Sequence, residues 1–367
     1  MAQSAGRGDN GKGKYIMGFE DKLRKITPYV PGEQPKNANK VIKLNTNENP
    51  YPAAPGAEEI ACNLKDTDMR LYPPTDAGKL SKAIAGYYGM DQKNIFVGVG
   101  SDDVLATAFL TCFNSEKPIL FPDVTYSFYD VWADLYKIPY KTVLLDDDFK
   151  IIKEDYLQEN GGIVIANPNA PTSIAMPLAD VEFIIKNNPD VVVIIDEAYV
   201  DFGGESAIPL LKKYDNLMVV QTFSKSRSMA GMRIGYAFAS DKIIQAMNDV
   251  KFSINSYTMN YPAVEMGVAA IEDEEYYKAT IAKIVKTRKK AVEELTKLGF
   301  KVLDSSTNFL FISHKGVKAK DIFADLRNRG IFVRHWDKPR IDNYLRVTIG
   351  TDAQMKKLYE ALGEILG

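Results

Sequence analysis

The chain has 367 residues, and its 46 basic and 48 acidic side chains nearly cancel to a formal charge of −2. That length exceeds what one core usually fills, so two domains are expected; the balanced charge, with no long basic block, argues against nucleic acid or an anionic membrane as the main partner. Two cysteines (Cys62, Cys112) and two histidines (His314, His335) are too few for a disulfide framework, a cysteine zinc site or a multi-histidine metal centre, so no metal is expected and a reducing cytoplasm is the natural compartment.

Residues 1–16, mixed in charge and without an apolar run, are expected to be a disordered leader or an expression remnant, because a secretory signal needs the apolar stretch they lack. Residues 17–45 are expected to form an N-terminal arm, and the stretch from Tyr29 to Pro55, rich in proline and asparagine, shows no readable periodicity. From Asn94 onward strand and helix signals alternate: Asn94–Gly98 as a strand, Asp102–Phe113 as a helix, Pro118–Phe121 as a strand, then a tyrosine-rich helix near Tyr126–Tyr136. Gly162–Ala166 reads as a strand, Leu178–Lys186 as a helix, and the β-branched run Val191–Ile195 as a strand buried on both faces. Asn216–Gln221 is a further short apolar strand. Such alternation implies a mostly parallel sheet between helical layers. Beyond Asp241 the pattern turns to long amphipathic helices, including Asp273–Leu298, with strands at Phe309–Ile312, Ile331–Val333 and Leu345–Thr348 and a closing helix from Asp352. The expected division is a large α/β domain over 46–252 and a smaller α+β domain over 253–367. No stretch approaches the roughly 20 apolar residues that span a bilayer.

The chemistry starts from Lys225, which follows an apolar strand into the hydroxyl-rich run Thr222-Phe223-Ser224-Lys225-Ser226-Arg227-Ser228, at the edge where open α/β sheets hold ligands. It reads as an imine-forming amine, and Arg233, eight positions on, suits the phosphate of a carbonyl cofactor. Asp196 and Glu197 end a buried strand at the same edge. There they admit three readings: a carboxylate holding a heterocyclic nitrogen protonated, metal ligation, or helix capping, and the nearby imine lysine favours the first. Val97-Gly98-Val99-Gly100-Ser101-Asp102 is a strand, a glycine turn and a helix start whose free N–H groups suit a phosphate, although it matches neither the Rossmann nor the P-loop pattern. Asn169, in Asn167-Pro168-Asn169-Ala170-Pro171-Thr172, is either a fixed amide in a site or part of a plain turn, and Tyr126 is either a stacking face or core. Arg334 and Arg346 suit a substrate carboxylate or phosphate.

Together these residues resemble the fold-type I pyridoxal-phosphate enzymes of the class I/II aminotransferase group and, within it, the histidinol-phosphate aminotransferases. The resemblance runs from about Ile26 to the C-terminus. It is carried by Ile26-Thr27-Pro28-Tyr29-Val30-Pro31-Gly32, Leu44-Asn45-Thr46-Asn47-Glu48-Asn49-Pro50-Tyr51, Asp196-Glu197-Ala198-Tyr199, the Lys225 run and Tyr344-Leu345-Arg346-Val347-Thr348-Ile349-Gly350, in family order. It implies a three-layer αβα domain with a mostly parallel sheet plus a smaller α+β domain, and pyridoxal 5'-phosphate bonded to Lys225. Asp196 would face the ring nitrogen, Tyr199 the ring hydroxyl and Tyr126 the ring plane. Ser101, Asp102, Ser224 and Arg233 would hold the phosphate, and Tyr29, Asn47, Arg334 and Arg346 the substrate. Tyr72 would reach the phosphate in the neighbouring subunit of a homodimer. The implied partners are an amino donor and a phosphorylated keto acceptor. The sequence departs from the family where Ala170 replaces a usual asparagine, so the amide contact to the ring hydroxyl is expected to be lost or taken over by Asn169. Aromatic aminotransferase and phosphothreonine decarboxylase activity are the alternatives on the same frame. A cofactor-binding sensor is the alternative outside enzymes, and Met1 to Pro28 is too short to carry its helix-turn-helix.

Overall fold

Strands that are buried along their whole length need a helical layer on each face, and that is how this chain is built. The computed structural model describes residues 18–36, 41–65 and 70–367, so the leader expected over 1–16 lies outside the described residues. After an extended arm come β1 (Ile42–Lys43), α1 (Pro55–Cys62), α2 (Gly78–Tyr88), β2 (Ile95–Gly98), α3 (Ser101–Cys112) and β3 (Ile119–Pro122). Then follow α4 (Tyr129–Tyr136), β4 (Tyr140–Val143), β5 (Gly162–Ala166), α5 (Leu178–Lys186), β6 (Val193–Asp196), β7 (Leu217–Thr222) and β8 (Gly235–Ala239). The remainder is α6 (Asp241–Ile254), α7 (Tyr261–Glu272), α8 (Glu274–Lys297), β9 (Phe300–Val302), β10 (Phe309–His314), α9 (Ala319–Asn328), β11 (Ile331–Phe332), β12 (Arg334–His335), β13 (Leu345–Thr348) and α10 (Asp352–Leu366).

The larger sheet has seven strands in the order β2-β8-β7-β6-β5-β3-β4. All its pairings are parallel except those of β8, which runs antiparallel to both β2 and β7. Alternate residues feed two cores: Val193, Ile195, Leu217 and Val219 pack with Ile84, Ile184 and Val264, whereas Ile194, Met218 and Val220 pack with Leu105, Trp132 and Met247. Each such side chain contributes about 1.5–3 kcal/mol by leaving water. A four-stranded antiparallel sheet, β12-β13-β10-β9, packs on α8, α9 and α10 through Leu310, Val347, Ile284, Leu326 and Leu358. Thr351 and Gln354 close a capping box at the start of α10.

The alternating pattern is therefore the one expected, with two strands that it did not show. β8 lies just beyond the Lys225 run, where glycines at 231 and 235 read as turn, and β4 is an edge strand whose Tyr140, Lys141 and Thr142 face solvent. The tyrosine-rich helix starts at Tyr129 rather than Tyr126, because residues 125–128 form a turn in which Tyr126 is tied to Asp102. Among the described residues no helix is long and apolar enough to cross a membrane.

At the head of β8, Gly235 lies under the turn that starts α3: a Cβ there would meet the Gly100 carbonyl carbon at 2.2 Å and the Ser101 nitrogen at 2.3 Å. Gly235→Ala should therefore lower the free energy of unfolding by about 1–3 kcal/mol. Gly86→Ala, in the exposed face of α2 with nothing within 4 Å, should raise it by roughly 0.5–1 kcal/mol. Denaturant titration of both variants checks the contrast.

Candidate active site

Because β2, β7, β6, β5 and β3 run in one direction, their carboxyl ends share an edge, and the loops that leave it converge. Register fixes the neighbours: Asp196 stands beside Ala166 on one side and Val220 on the other, while Thr222, Gly235 and Gly98 lie in one row. Between this edge and the β12–β13 side of the smaller sheet lies a cavity of about 570 Å³. Ser101, Asp102, Tyr126, Asp196, Tyr199, Ser224, Lys225, Arg233, Tyr29, Arg334 and Arg346 all line it.

One end is built to take an anion. Gly100 caps α3 at φ 85, and Val104 makes the first helical bond back to Gly100, so the N–H groups of Ser101, Asp102 and Asp103 precede the helical ladder. A Cβ on Gly100 would meet Arg233 Nη2 at 2.4 Å, so the guanidinium lies directly over the turn. Ser224 brings its hydroxyl to the same end, held by Thr222 at 3.0 Å. Asp102 differs from the expectation of a plain phosphate ligand. Its carboxylate accepts from the Tyr126 hydroxyl at 2.7 Å and faces Arg233 at 3.4 Å, so only its N–H suits an anion, and the side chain brackets the arginine.

Lys225 stands three residues past β7. Its Nζ donates to the Thr46 carbonyl at 3.3 Å and lies 5.8 Å from the centre of the Tyr199 ring. The Tyr199 hydroxyl accepts from Asn47 Nδ2 at 2.9 Å. Asp196 is 5% exposed, and its carboxylate accepts from the Tyr129 hydroxyl at 2.9 Å and the Ala198 N–H at 3.2 Å. Burial pushes its carboxyl from 3.8 up to about 6, against the pull of those two bonds and of Lys225. Glu197 points elsewhere, to Ser206, Ala207 and Gln221, and burial raises it to about 7. The two carboxylates therefore share no ligand site, and no group of three metal-ligating side chains gathers among the described residues.

The opposite end carries two guanidinium groups. Arg334 and Arg346 are direct cross-strand partners in β12 and β13, an arrangement that costs stability unless something negative lies between them. Among the described residues neither is paired with a carboxylate: Arg334 donates to the carbonyls of Val30 and Pro31, Arg346 donates to the carbonyl of Asn45, and both lie over Trp336. Arg346 Nε is buried with no hydrogen-bond partner among the described residues. Burial lowers the Arg346 pKa and raises that of Tyr29, whose hydroxyl the two arginines pull back down. Tyr29 itself stacks on Phe128 at 4.1 Å, so the N-terminal arm forms part of the wall.

Three expected residues lie off the cavity. Asn169 is buried and fully engaged between its own loop and the loop after β3, donating to Thr172 and the Val124 carbonyl and accepting from Thr125; the wall there is Ala170 and Pro171, so Asn169 does not line the cavity. Asn47 is buried behind Tyr199 and orients that hydroxyl instead of facing substrate. Tyr72 is 81% exposed and lies against the Tyr257 ring, tilted, with centroids 4.5 Å apart, outside its own chain's cavity. Conversely, sequence reading missed Tyr129, 67 residues from its partner Asp196, and Arg340, which lines the mouth and joins Asp123 at 2.6 Å. No spacing rule links residues so far apart.

The donor set fits the cofactor implied by the resemblance. It offers N–H groups, a hydroxyl and a guanidinium for a phosphate, an amine for an aldehyde, and a buried carboxylate for a basic ring nitrogen. Without a cation beside it, ionised Asp196 is a burden. The folded chain holds that proton more tightly than the unfolded chain, so this carboxyl's contribution to stability falls as pH rises from about 4 through 6 and the cost is complete above that window. A shift of about two units corresponds to roughly 3 kcal/mol. In cofactor-stripped protein, Asp196→Asn should raise the thermal midpoint at pH 8, with the gain shrinking at pH 5; a pH-independent drop would contradict the burial argument.

The family described as aminotransferase class I and II matches residues 39–362. The histidinol-phosphate aminotransferase of Lactococcus lactis subsp. lactis is 51% identical over 346 residues, covering 94% of this chain and 96% of the relative. That of Clostridium beijerinckii is 49% identical, covering 95% and 97%. Among solved structures, the histidinol-phosphate aminotransferase from Sinorhizobium meliloti in complex with pyridoxal-5'-phosphate superposes with a TM-score of 0.81 at 25% identity, over 89% of this chain and 90% of that one. The enzyme from Clostridium acetobutylicum gives 0.81 at 22% identity, over 89% and 99%, a likeness of fold. With the match spanning the larger and the smaller sheet and the cavity residues from Asn45 to Arg346, the chain belongs to the class I and II aminotransferase family.

Proposed function

We propose that the chain moves an amino group from glutamate to imidazole-acetol phosphate, giving 2-oxoglutarate and histidinol phosphate in L-histidine biosynthesis, with pyridoxal 5'-phosphate as cofactor. The observation that carries this reading is a single cavity joining an anion cradle, Lys225 and buried Asp196 to the unpaired arginines of the smaller sheet. Relatives about half identical over nearly the whole chain, all bearing the name histidinol-phosphate aminotransferase, support the substrate. When bound, pyridoxal phosphate supplies an aldehyde that takes up an amine and a ring that accepts the electron pair left at the substrate's Cα.

The residues of the chain do the rest. The Lys225 amine would hold the cofactor through its aldehyde, and, when free, would take the proton from the substrate's Cα and return one on the cofactor side. Asp196 keeps a proton on the ring nitrogen that faces it. In doing so it gains the counter-charge that its burial demands, and Tyr129 holds it in place. The hydroxyl of Tyr199, oriented by Asn47, would donate to the ring hydroxyl, and the Tyr126 ring would cover the ring plane. Ser101, Asp102 through its N–H, Ser224 and Arg233 bind the cofactor phosphate. Arg334 and Arg346, with the Tyr29 hydroxyl, receive either the far carboxylate of glutamate or the phosphate of the other substrate, because a guanidinium fork fits both anions.

We further propose a cytoplasmic homodimer. Tyr72 and its neighbour Leu71 are exposed apolar groups, as are Ile254 and Tyr257, and the exposed hydroxyl of Tyr72 suits the phosphate of a partner's cavity.

Arg346→Ala should raise the Michaelis constants of glutamate and of the phosphorylated substrate together, by about 10–100-fold each, as expected for a charge-assisted contact. Steady-state kinetics with both substrates checks this, and an unchanged value for either removes Arg346 from a shared pocket. The substrate assignment is tested by single-turnover loss of visible absorbance on mixing the loaded protein with histidinol phosphate. Equal efficiency with phenylalanine, or carbon dioxide release from phosphothreonine, would overturn it.

A further inference from the structure

Lys225 is held from behind by one side chain that sequence reading gave no role. Asn49 Nδ2 donates to the carbonyls of both Lys225, at 3.1 Å, and Ser226, at 3.2 Å, while its Oδ1 accepts from the Tyr51 N–H at 3.0 Å. The amide is thus used on both sides, and its two carbonyl partners are consecutive. Rotation of the peptide that joins Lys225 to Ser226 would break at least one of these bonds. The far end of the lysine is tied to the same stretch of chain, because Nζ donates to the Thr46 carbonyl. Residues 46–49 therefore fix the root and the tip of Lys225 together. They are themselves fixed, since Asn47 is bound by Thr348 of β13 and by Asn308 just before β10, and its side chain by Tyr199.

We propose that Asn49 is a positioning residue for Lys225. It sets the spacing between the lysine main chain and the Thr46 carbonyl, which accepts from the free Lys225 amine before that amine takes up a proton. The inference rests on Lys225 being the amine that bonds the cofactor. Its physical content is that a long flexible side chain which must detach, accept a proton and return needs a fixed root and an acceptor within reach of its tip. Only a carboxamide meets the local demand. Both partners are acceptors, so a carboxylate at 49 would set oxygen against oxygen, and an aliphatic chain would leave both carbonyls without this donor. A second tether, from Ser226 Oγ to Asp201 Oδ2 at 2.5 Å, holds the loop independently and should let it fold without the amide.

Asn49→Leu keeps the shape and removes the donor. Because geometry at a reacting group is worth much in rate, it should lower kcat by about 10–100-fold while leaving both Michaelis constants within about threefold. In cofactor-stripped protein, brief acetic anhydride labelling followed by peptide mass spectrometry should show Lys225 reactivity changed by about threefold or more relative to the other lysines of the same sample. If Asn49→Leu does not fold, Asn49→Asp carries the same expectations. A fall in thermal midpoint with an unchanged Lys225 labelling ratio, or an unchanged kcat, would overturn the proposal. The parent protein keeps the two readings apart. Cofactor found by borohydride trapping on a different lysine sinks the assignment of Lys225, whereas cofactor on Lys225 with an indifferent Asn49→Leu sinks only the role of Asn49.

Discussion

Asn47 adopts a left-handed backbone conformation, φ 57, in a buried position between the two sheets. Its N–H donates to the Thr348 hydroxyl, its side-chain oxygen accepts from that same hydroxyl, and its carbonyl accepts from Asn308, so the turn is pinned to β13 and the strand beside it. Asparagine bears this conformation more cheaply than other residues with a Cβ. The residues around this turn reach both halves of the cavity. Asn45 offers its carbonyl to Arg346, Thr46 offers its carbonyl to Lys225, Asn47 orients the Tyr199 hydroxyl, and Asn49 grips the Lys225 main chain. A few consecutive residues thus set the amine that reacts, the phenol beside it and the guanidinium that receives substrate, although the amine and phenol come from loops of the larger sheet and the guanidinium from the smaller one.

The electrostatics of the cavity follow from what is left unpaired. Asp196 is buried with hydrogen bonds but, among the described residues, no salt-bridge partner, and Arg334 and Arg346 face one another across a strand pair with carbonyls for company. Each arrangement costs the ligand-free fold, and each is relieved by a ligand of the complementary charge: a protonated ring nitrogen for Asp196, a carboxylate or phosphate for the arginines. Arg233 is held more loosely, at 3.4 Å from Asp102, over a glycine turn with free N–H groups, which leaves it donors for an incoming phosphate. Binding energy is therefore available where the fold has placed charges it cannot itself satisfy.

Much of this was legible in the chain. Gly162–Ala166, Leu178–Lys186 and Leu345–Thr348 form the elements read from their periodicity, because burial on both faces leaves continuous apolar runs and α5 keeps a helical stripe. β8 and β4 were hidden, one by glycines beside a loop and the other by exposure at a sheet edge. Asp196 and Lys225 could be read because a charged residue ending or closely following a buried strand is conspicuous, and Arg233 because it follows Lys225 by eight positions. Tyr129 and Arg340 could not, since their partners are distant in sequence and they carry no motif. Asn169 lies off the cavity because the loop after β3, through Val124 and Thr125, and Thr172 use up its amide, leaving Ala170 and Pro171 to face the cavity.

All of these contacts acquire meaning from one bond, between the Lys225 amine and the cofactor aldehyde. The most direct measurement is to load the protein with pyridoxal phosphate, reduce it with borohydride, digest it and locate the added mass by peptide sequencing. The account predicts the cofactor on Lys225, at one equivalent per chain, and no trapped adduct in Lys225→Ala. Recovery of the cofactor on another lysine, or an undiminished adduct in that variant, would contradict it.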